Sequence, residues 1–204
     1  MADARTSSKQ RPAFQVILRG VPHRSAVYIA IQIVGLLTQA HYQIDTPGCI
    51  YTAKGHVFNN VLTLSAPDEK VLATVKRKFE FLHTHYEFDL QDGNKYQFEA
   101  DTSYKNAYAC TIGTETYTWF FHRGRRNPLF LHGSQIASMK RSHLYVGGFI
   151  PTELQMNDDA DLTVVLCFAL ATCEMSPIQQ RGSFDPGYSH GGEDMPFDER
   201  WQPS

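Results

Sequence analysis

The stretch Asp159-Ala-Asp-Leu-Thr-Val-Val-Leu-Cys-Phe-Ala-Leu-Ala-Thr-Cys-Glu-Met175 decides the fold. From Leu162 to Cys173 only Thr163 and Thr172 are polar, so a helix here has no face to offer water. A helix apolar all round is buried on every side. Twelve residues at about 1.5 Å each reach roughly 18 Å, too short for a bilayer that needs about 20 apolar residues. Asp158, Asp159 and Asp161 crowd the N-terminal end, where the helix dipole favours negative charge, and Pro177 ends the run. One strand of a buried sheet is the alternative, but the length and the small residues Ala169 and Ala171 favour a helix over 159–175. Leu162, Val165, Leu166, Phe168, Ala169 and Leu170 are then its core residues.

Working outward, the preceding hundred residues have a different texture. Short apolar segments rich in β-branched and aromatic residues recur at roughly ten-residue spacing, with turn signals between them. They are Ile50–Ala53, Val57–Leu64, Val71–Phe79, His85–Leu90, Lys95–Ala100, Ala107–Ile112, Thr116–Phe121, Gln135–Arg141 and His143–Ile150. Asp92-Gly93 is a hairpin signal, Lys54-Gly55 reads as a break, and Gly147-Gly148 reads as a bulge or a close approach. This spacing predicts an antiparallel barrel or sandwich. A wholly apolar helix near the end favours a closed barrel wide enough to hold it, and closure also removes exposed strand edges.

The 204 residues suffice for one large domain or two small ones, and 42% hydrophobic content fits a globular core. Residues 1–12 read as a flexible arm, 13–176 as the folded domain, and 177–204 as a disordered acidic tail rich in Gly and Pro. Within 14–45, Phe14–Arg19 is a possible strand, and Ala26–Leu37 is an apolar run, too short for a membrane span, in which strand is slightly favoured over helix. Net charge is −2 overall, and the tail from Pro177 carries −3 of it, leaving the rest at +1. That balance gives no electrostatic case for nucleic acid. The four cysteines, Cys49, Cys110, Cys167 and Cys173, form no CxxC pair, and the N-terminus has no apolar signal region. Together these predict an intracellular, cytoplasmic protein without a transmembrane segment.

Laid out this way, the chain resembles the tubby C-terminal-like superfamily, and within it the LURP-one-related branch, which is also similar to phospholipid scramblases. Three pieces carry the resemblance: Glu69–Phe88, with an acidic turn, a strand ending in Lys76-Arg77-Lys78, a break and a Tyr86-Glu-Phe88 strand; the strand–turn–strand grammar through 95–150; and the acid-preceded apolar helix at 158–174. They cover roughly residues 45–175. The resemblance implies a closed antiparallel barrel of about twelve strands around the central C-terminal helix. Gly124–Gly133 departs from the pattern and reads as an extra loop.

Three basic clusters stand out: Lys76, Arg77 and Lys78; Arg123, Arg125 and Arg126; Lys140 and Arg141. Alternation puts Val75, Arg77 and Phe79 on one face of a strand and Lys76 and Lys78 on the other. Converging outside a barrel, such groups could hold a phosphoinositide headgroup, the ligand class the tubby resemblance implies. The plain alternative is a solvated, edge-protecting face. His83 and His85 share a face in an extended segment, a spacing that suits zinc, but no third ligand stands out, so no metal or cofactor is expected. Cys110 or Ser134 near a histidine would be the only nucleophiles worth naming, and no nucleophile elbow or phosphate loop surrounds them. Tyr117, Trp119, Phe120 and Phe121 beside Arg123 could stack bases, though such residues are more often core. The expectation is a non-enzymatic binding module that meets an anionic, phosphoinositide-bearing membrane surface or a protein partner. A lipid-handling protein or enzyme with an internal cavity, and an interaction protein acting through its tail, are the alternatives. In the last case, deletion of 178–204 leaves thermal stability unchanged.

Overall fold

A computed structural model describes residues 26–30, 39–56, 60–80, 83–101, 107–120, 126–141, 151–174, 198 and 200–204. The chain is mainly β, with an antiparallel sheet and one C-terminal helix. The strands are β1 (Ala26–Ala30), β2 (Gln39–Thr46), β3 (Cys49–His56), β4 (Val61–Ser65), β5 (Val71–Glu80), β6 (His83–Leu90), β7 (Lys95–Asp101), β8 (Ala107–Ile112), β9 (Glu115–Phe120), β10 (Arg126–Leu131), β11 (Ser134–Arg141) and β12 (Pro151–Met156), followed by α1 (Leu162–Glu174). Each strand pairs antiparallel with its neighbour in the chain, and β1 also pairs with β12, Val27 opposite Leu154, so the order returns on itself as a closed barrel.

Strict alternation builds the interior. Tyr42 and Ile44, Leu62 and Leu64, Ala73 and Val75, Tyr86 and Phe88, Tyr117 and Trp119, and Leu154 and Met156 are buried, each pair two residues apart on one strand. The helix fills the space they enclose. Every residue from Val164 to Thr172 is buried, and Phe168 touches rings from three strands: Phe88 at 5.3 Å, Phe98 at 4.9 Å, and Tyr117 and Trp119 at 5.7 and 5.8 Å. The buried Thr172 hydroxyl donates to the Phe168 carbonyl at 2.9 Å, which satisfies it within the helix.

The helix is shorter than 159–175 because Asp161 is its N-cap. The Asp161 Oδ1 accepts from the backbone N–H groups of Thr163 (2.8 Å) and Val164 (3.1 Å), while its carbonyl accepts from Val165. Of the core residues expected, Val165, Leu166, Phe168, Ala169 and Leu170 are fully buried and Leu162 is partly so.

Two strand expectations need correction. Gly124–Gly133 is not an extra loop, since residues 126–131 form β10, with Leu129 fully buried between Trp119 and Ala137. Pro128 made it look irregular; lacking an N–H, it sits where the pairing with β9 has not yet begun. Lys54-Gly55 is no break either, and β3 runs through it. Gly55 is there because a Cβ would lie 2.4 Å from the Leu62 side chain and 2.6 Å from the Val61 carbonyl oxygen. Two described strands went unread, β12 at Pro151–Met156 and β2, whose inward residues alternate with polar His41, Gln43 and Asp45. Phe14–Arg19 and His143–Ile150 lie outside the described residues, and of Ala26–Leu37 only β1 lies within them.

Candidate functional site: the basic end of the barrel

The topology sorts the charges. The turns β2–β3, β4–β5, β6–β7, β8–β9 and β10–β11, and the turn from β12 into α1, all fall at one end of the barrel, here the entry end. It carries Asp45, Asp68, Glu69, Asp89, Asp92, Glu115, Asp158, Asp159 and Asp161 against Lys70 and Lys95. At the opposite end, where α1 finishes, lie the positions Lys54, Lys76, Arg77, Lys78, Arg126, Lys140 and Arg141 against Glu80, Glu87, Glu99, Asp101, Glu153 and Glu174, so that end is nearly balanced while the entry end is strongly acidic. The barrel is electrically polarised along its axis.

The basic residues do not converge on one pocket. β5 and β10 are five places apart in a ring of twelve strands, so the Lys76–Lys78 cluster and the Arg126, Lys140 and Arg141 cluster occupy nearly opposite walls. Within the second cluster Arg126 and Lys140 are directly opposite each other across β10 and β11, like charges side by side, and Lys140 faces Glu153 across β12. Arg123 and Arg125 lie outside the described residues.

The first cluster splits by alternation. Arg77 shares the inward face of Ala73 and Val75 and pairs in register with Tyr86. Lys76 and Lys78 face outward. Lys78 approaches Glu87 at 3.8 Å, and Lys95 reaches the same carboxylate at 3.5 Å. These are half-exposed or exposed pairs, worth little to stability and weakened by salt.

Sequence reasoning missed the polar group inside the basic end. The Tyr42 hydroxyl donates to the Glu174 carboxylate, joining β2 to the last residue of α1. Beside them the Tyr86 hydroxyl is buried with no hydrogen-bond partner among the described residues. Burial pushes its pKa above the ordinary tyrosine value, the Arg77 charge pulls it back, and Tyr108, Glu174 and Cys173 add to the rise. The signal was present in the sequence as Tyr86 two places before Phe88, but an alternating pattern cannot show which inward residue meets the helix end.

The remaining candidates fall elsewhere. Cys110 is inward and buried, and burial pushes its thiol up to about 12, which keeps it protonated and unreactive. Ser134 is exposed in the β10–β11 turn region. Tyr117 and Trp119 are barrel core against Phe168, and Phe120 packs edge-on with Phe130 at 5.4 Å, so none of these three offers a stacking face; Phe121 lies outside the described residues. His85 sits on β6 opposite Lys78, and among the described residues no group of three His, Cys, Asp or Glu side chains could hold a metal ion. No described helix is long and apolar enough to cross a membrane.

The last residues of the chain are held against the entry end. The Trp201 indole N–H donates to the Gln135 carbonyl at 3.0 Å, the Ser204 N–H donates to Asn157 Oδ1 at 3.2 Å, and the Asp158 N–H donates to the Ser204 backbone oxygen at 3.2 Å. They belong to the 177–204 segment read from the sequence as a disordered tail, of which residues 177–197 and 199 lie outside the described residues.

No protein-family model, no curated protein and no solved structure matches this chain.

Proposed function

We propose that the protein is a non-enzymatic binding module of tubby-like architecture that meets an anionic, phosphoinositide-bearing membrane surface with its basic end. One observation carries this reading: the described basic residues singled out from the sequence all lie at one end of the barrel, with a strongly acidic end opposite. A body polarised in this way is oriented by a negative surface before it touches it. Cations spread around a rim suit a flat surface better than a single headgroup pocket, since each Lys or Arg near an anionic leaflet contributes on the order of 1 kcal/mol.

Vesicle co-sedimentation tests the reading. Binding that requires phosphoinositide and weakens between low and physiological salt supports it. Absence of binding at low salt, where screening is least, retires it. The basic rim is then plain surface, and protein partners become the object of search.

A further inference from the structure

The corner that receives the chain's last residues is built without them. The Asn157 N–H donates to the Ile136 carbonyl at 2.9 Å, which ties the turn after β12 to β11, and the adjacent Gln135 carbonyl and Asn157 carboxamide face the terminal segment. The receptor has hydrogen-bonding capacity to spare: the Gln135 side-chain Nε2 and Oε1 are both buried without a partner among the described residues. The segment it holds arrives from far away. α1 finishes at one end of the barrel, whereas Trp201 and Ser204 sit at the other. The helix spans about 20 Å, while the 23 residues 175–197 reach at most roughly 80 Å when extended. That length of chain can span to a neighbouring molecule as well as to its own barrel.

We propose that this corner is a peptide-docking site, filled in the isolated chain by its own Trp201–Ser204 and open to the same segment of a second copy. The recognition elements are an indole N–H for the Gln135 carbonyl and, three residues on, a backbone N–H and oxygen for Asn157 and Asp158. Three such hydrogen bonds and a half-buried indole make a weak ligand, held chiefly by the effective concentration its tether provides. Withdrawal of the tether's own segment therefore leaves a vacant site of defined specificity.

Fluorescence anisotropy with a labelled synthetic peptide of residues 196–204 tests this on the full chain. The peptide is expected to bind a Trp201→Ala chain at least tenfold more tightly than the wild type, whose own segment competes. An Ala in place of Trp in the peptide abolishes binding. In sedimentation equilibrium, the wild type is expected to self-associate at concentrations that saturate the peptide site, and Trp201→Ala to remain monomeric. Equal peptide binding to both chains, or none to Trp201→Ala, overturns the proposal. So does a Trp201→Ala chain that does not fold, which makes the segment core, or a wild type that stays monomeric.

Discussion

Phe168 and Trp119 are stacked inside the barrel, their ring planes 7° apart and their centroids 5.8 Å apart, both with no exposed surface. Around the same phenyl ring Phe88 and Phe98 stand edge-on at 87° and 89°. One helix residue thus organises the rings of three strands, and face-on and edge-on contacts of this kind add about 0.5–1.5 kcal/mol each beyond the area buried.

Phe168→Ala is therefore expected to cost about 3–5 kcal/mol, the range for emptying a core aromatic site. Urea unfolding followed by circular dichroism measures it. Leu166→Asp places an unpaired charge in the same interior and is expected to abolish soluble expression. A well-folded Leu166→Asp protein contradicts a buried helix.

Tyr86→Phe has the opposite expected sign. The hydroxyl it deletes is buried and lacks a partner among the described residues, so its desolvation, about 1–3 kcal/mol, is offset by nothing described. Thermal melting should show Tyr86→Phe equal to or more stable than the wild type. A loss of more than about 1 kcal/mol means the hydroxyl is engaged after all.

Gly55→Ala should destabilise by roughly 1–3 kcal/mol, because the new methyl meets a backbone oxygen that cannot move without displacing β4. The neighbouring exposed Lys54→Ala is the control, and should change stability by less than about 0.5 kcal/mol.

Alkaline pH should unfold the protein. The Cys110 thiol, at 9 in the unfolded chain, is pushed up to about 12 by burial, and the buried Cys167, Tyr86 and Tyr117 shift in the same direction. A group raised in the folded state lends its full contribution below its unfolded value. That contribution is lost as pH rises through the folded one, so stability declines from about pH 9 upward. In the native state maleimide should label Cys49 and Cys173 before Cys110 and Cys167. Simultaneous labelling of all four at neutral pH contradicts the packing.

Much of this was legible in the residues. The helix declared itself because Leu162–Cys173 has no polar face, and the antiparallel class because Leu62 and Leu64, or Tyr86 and Phe88, alternate with polar neighbours. β10 was hidden by Pro128, and the Lys54-Gly55 break was a misreading of a glycine that serves packing rather than turning. The placement of the basic clusters was not legible at all. Whether Lys76 and Lys140 converge depends on how many strands separate them around the ring, a long-range fact that no local pattern contains. The docked terminus was missed for the same reason, since Trp201 finds its acceptor 66 residues earlier in a stretch with nothing to mark it.

The most direct test of the membrane reading compares two variants on phosphoinositide-containing vesicles at low and physiological salt. One removes basic-end charge (Lys76→Ala, Lys78→Ala, Lys140→Ala, Arg141→Ala), and the other removes entry-end charge (Asp68→Asn, Glu69→Gln, Asp92→Asn). At about 1 kcal/mol per cation, the first should lose at least tenfold in partitioning, while the second should bind as well as or better than wild type. Equal binding by both variants, or a wild type that does not bind at low salt, contradicts a barrel that meets membranes with its basic end.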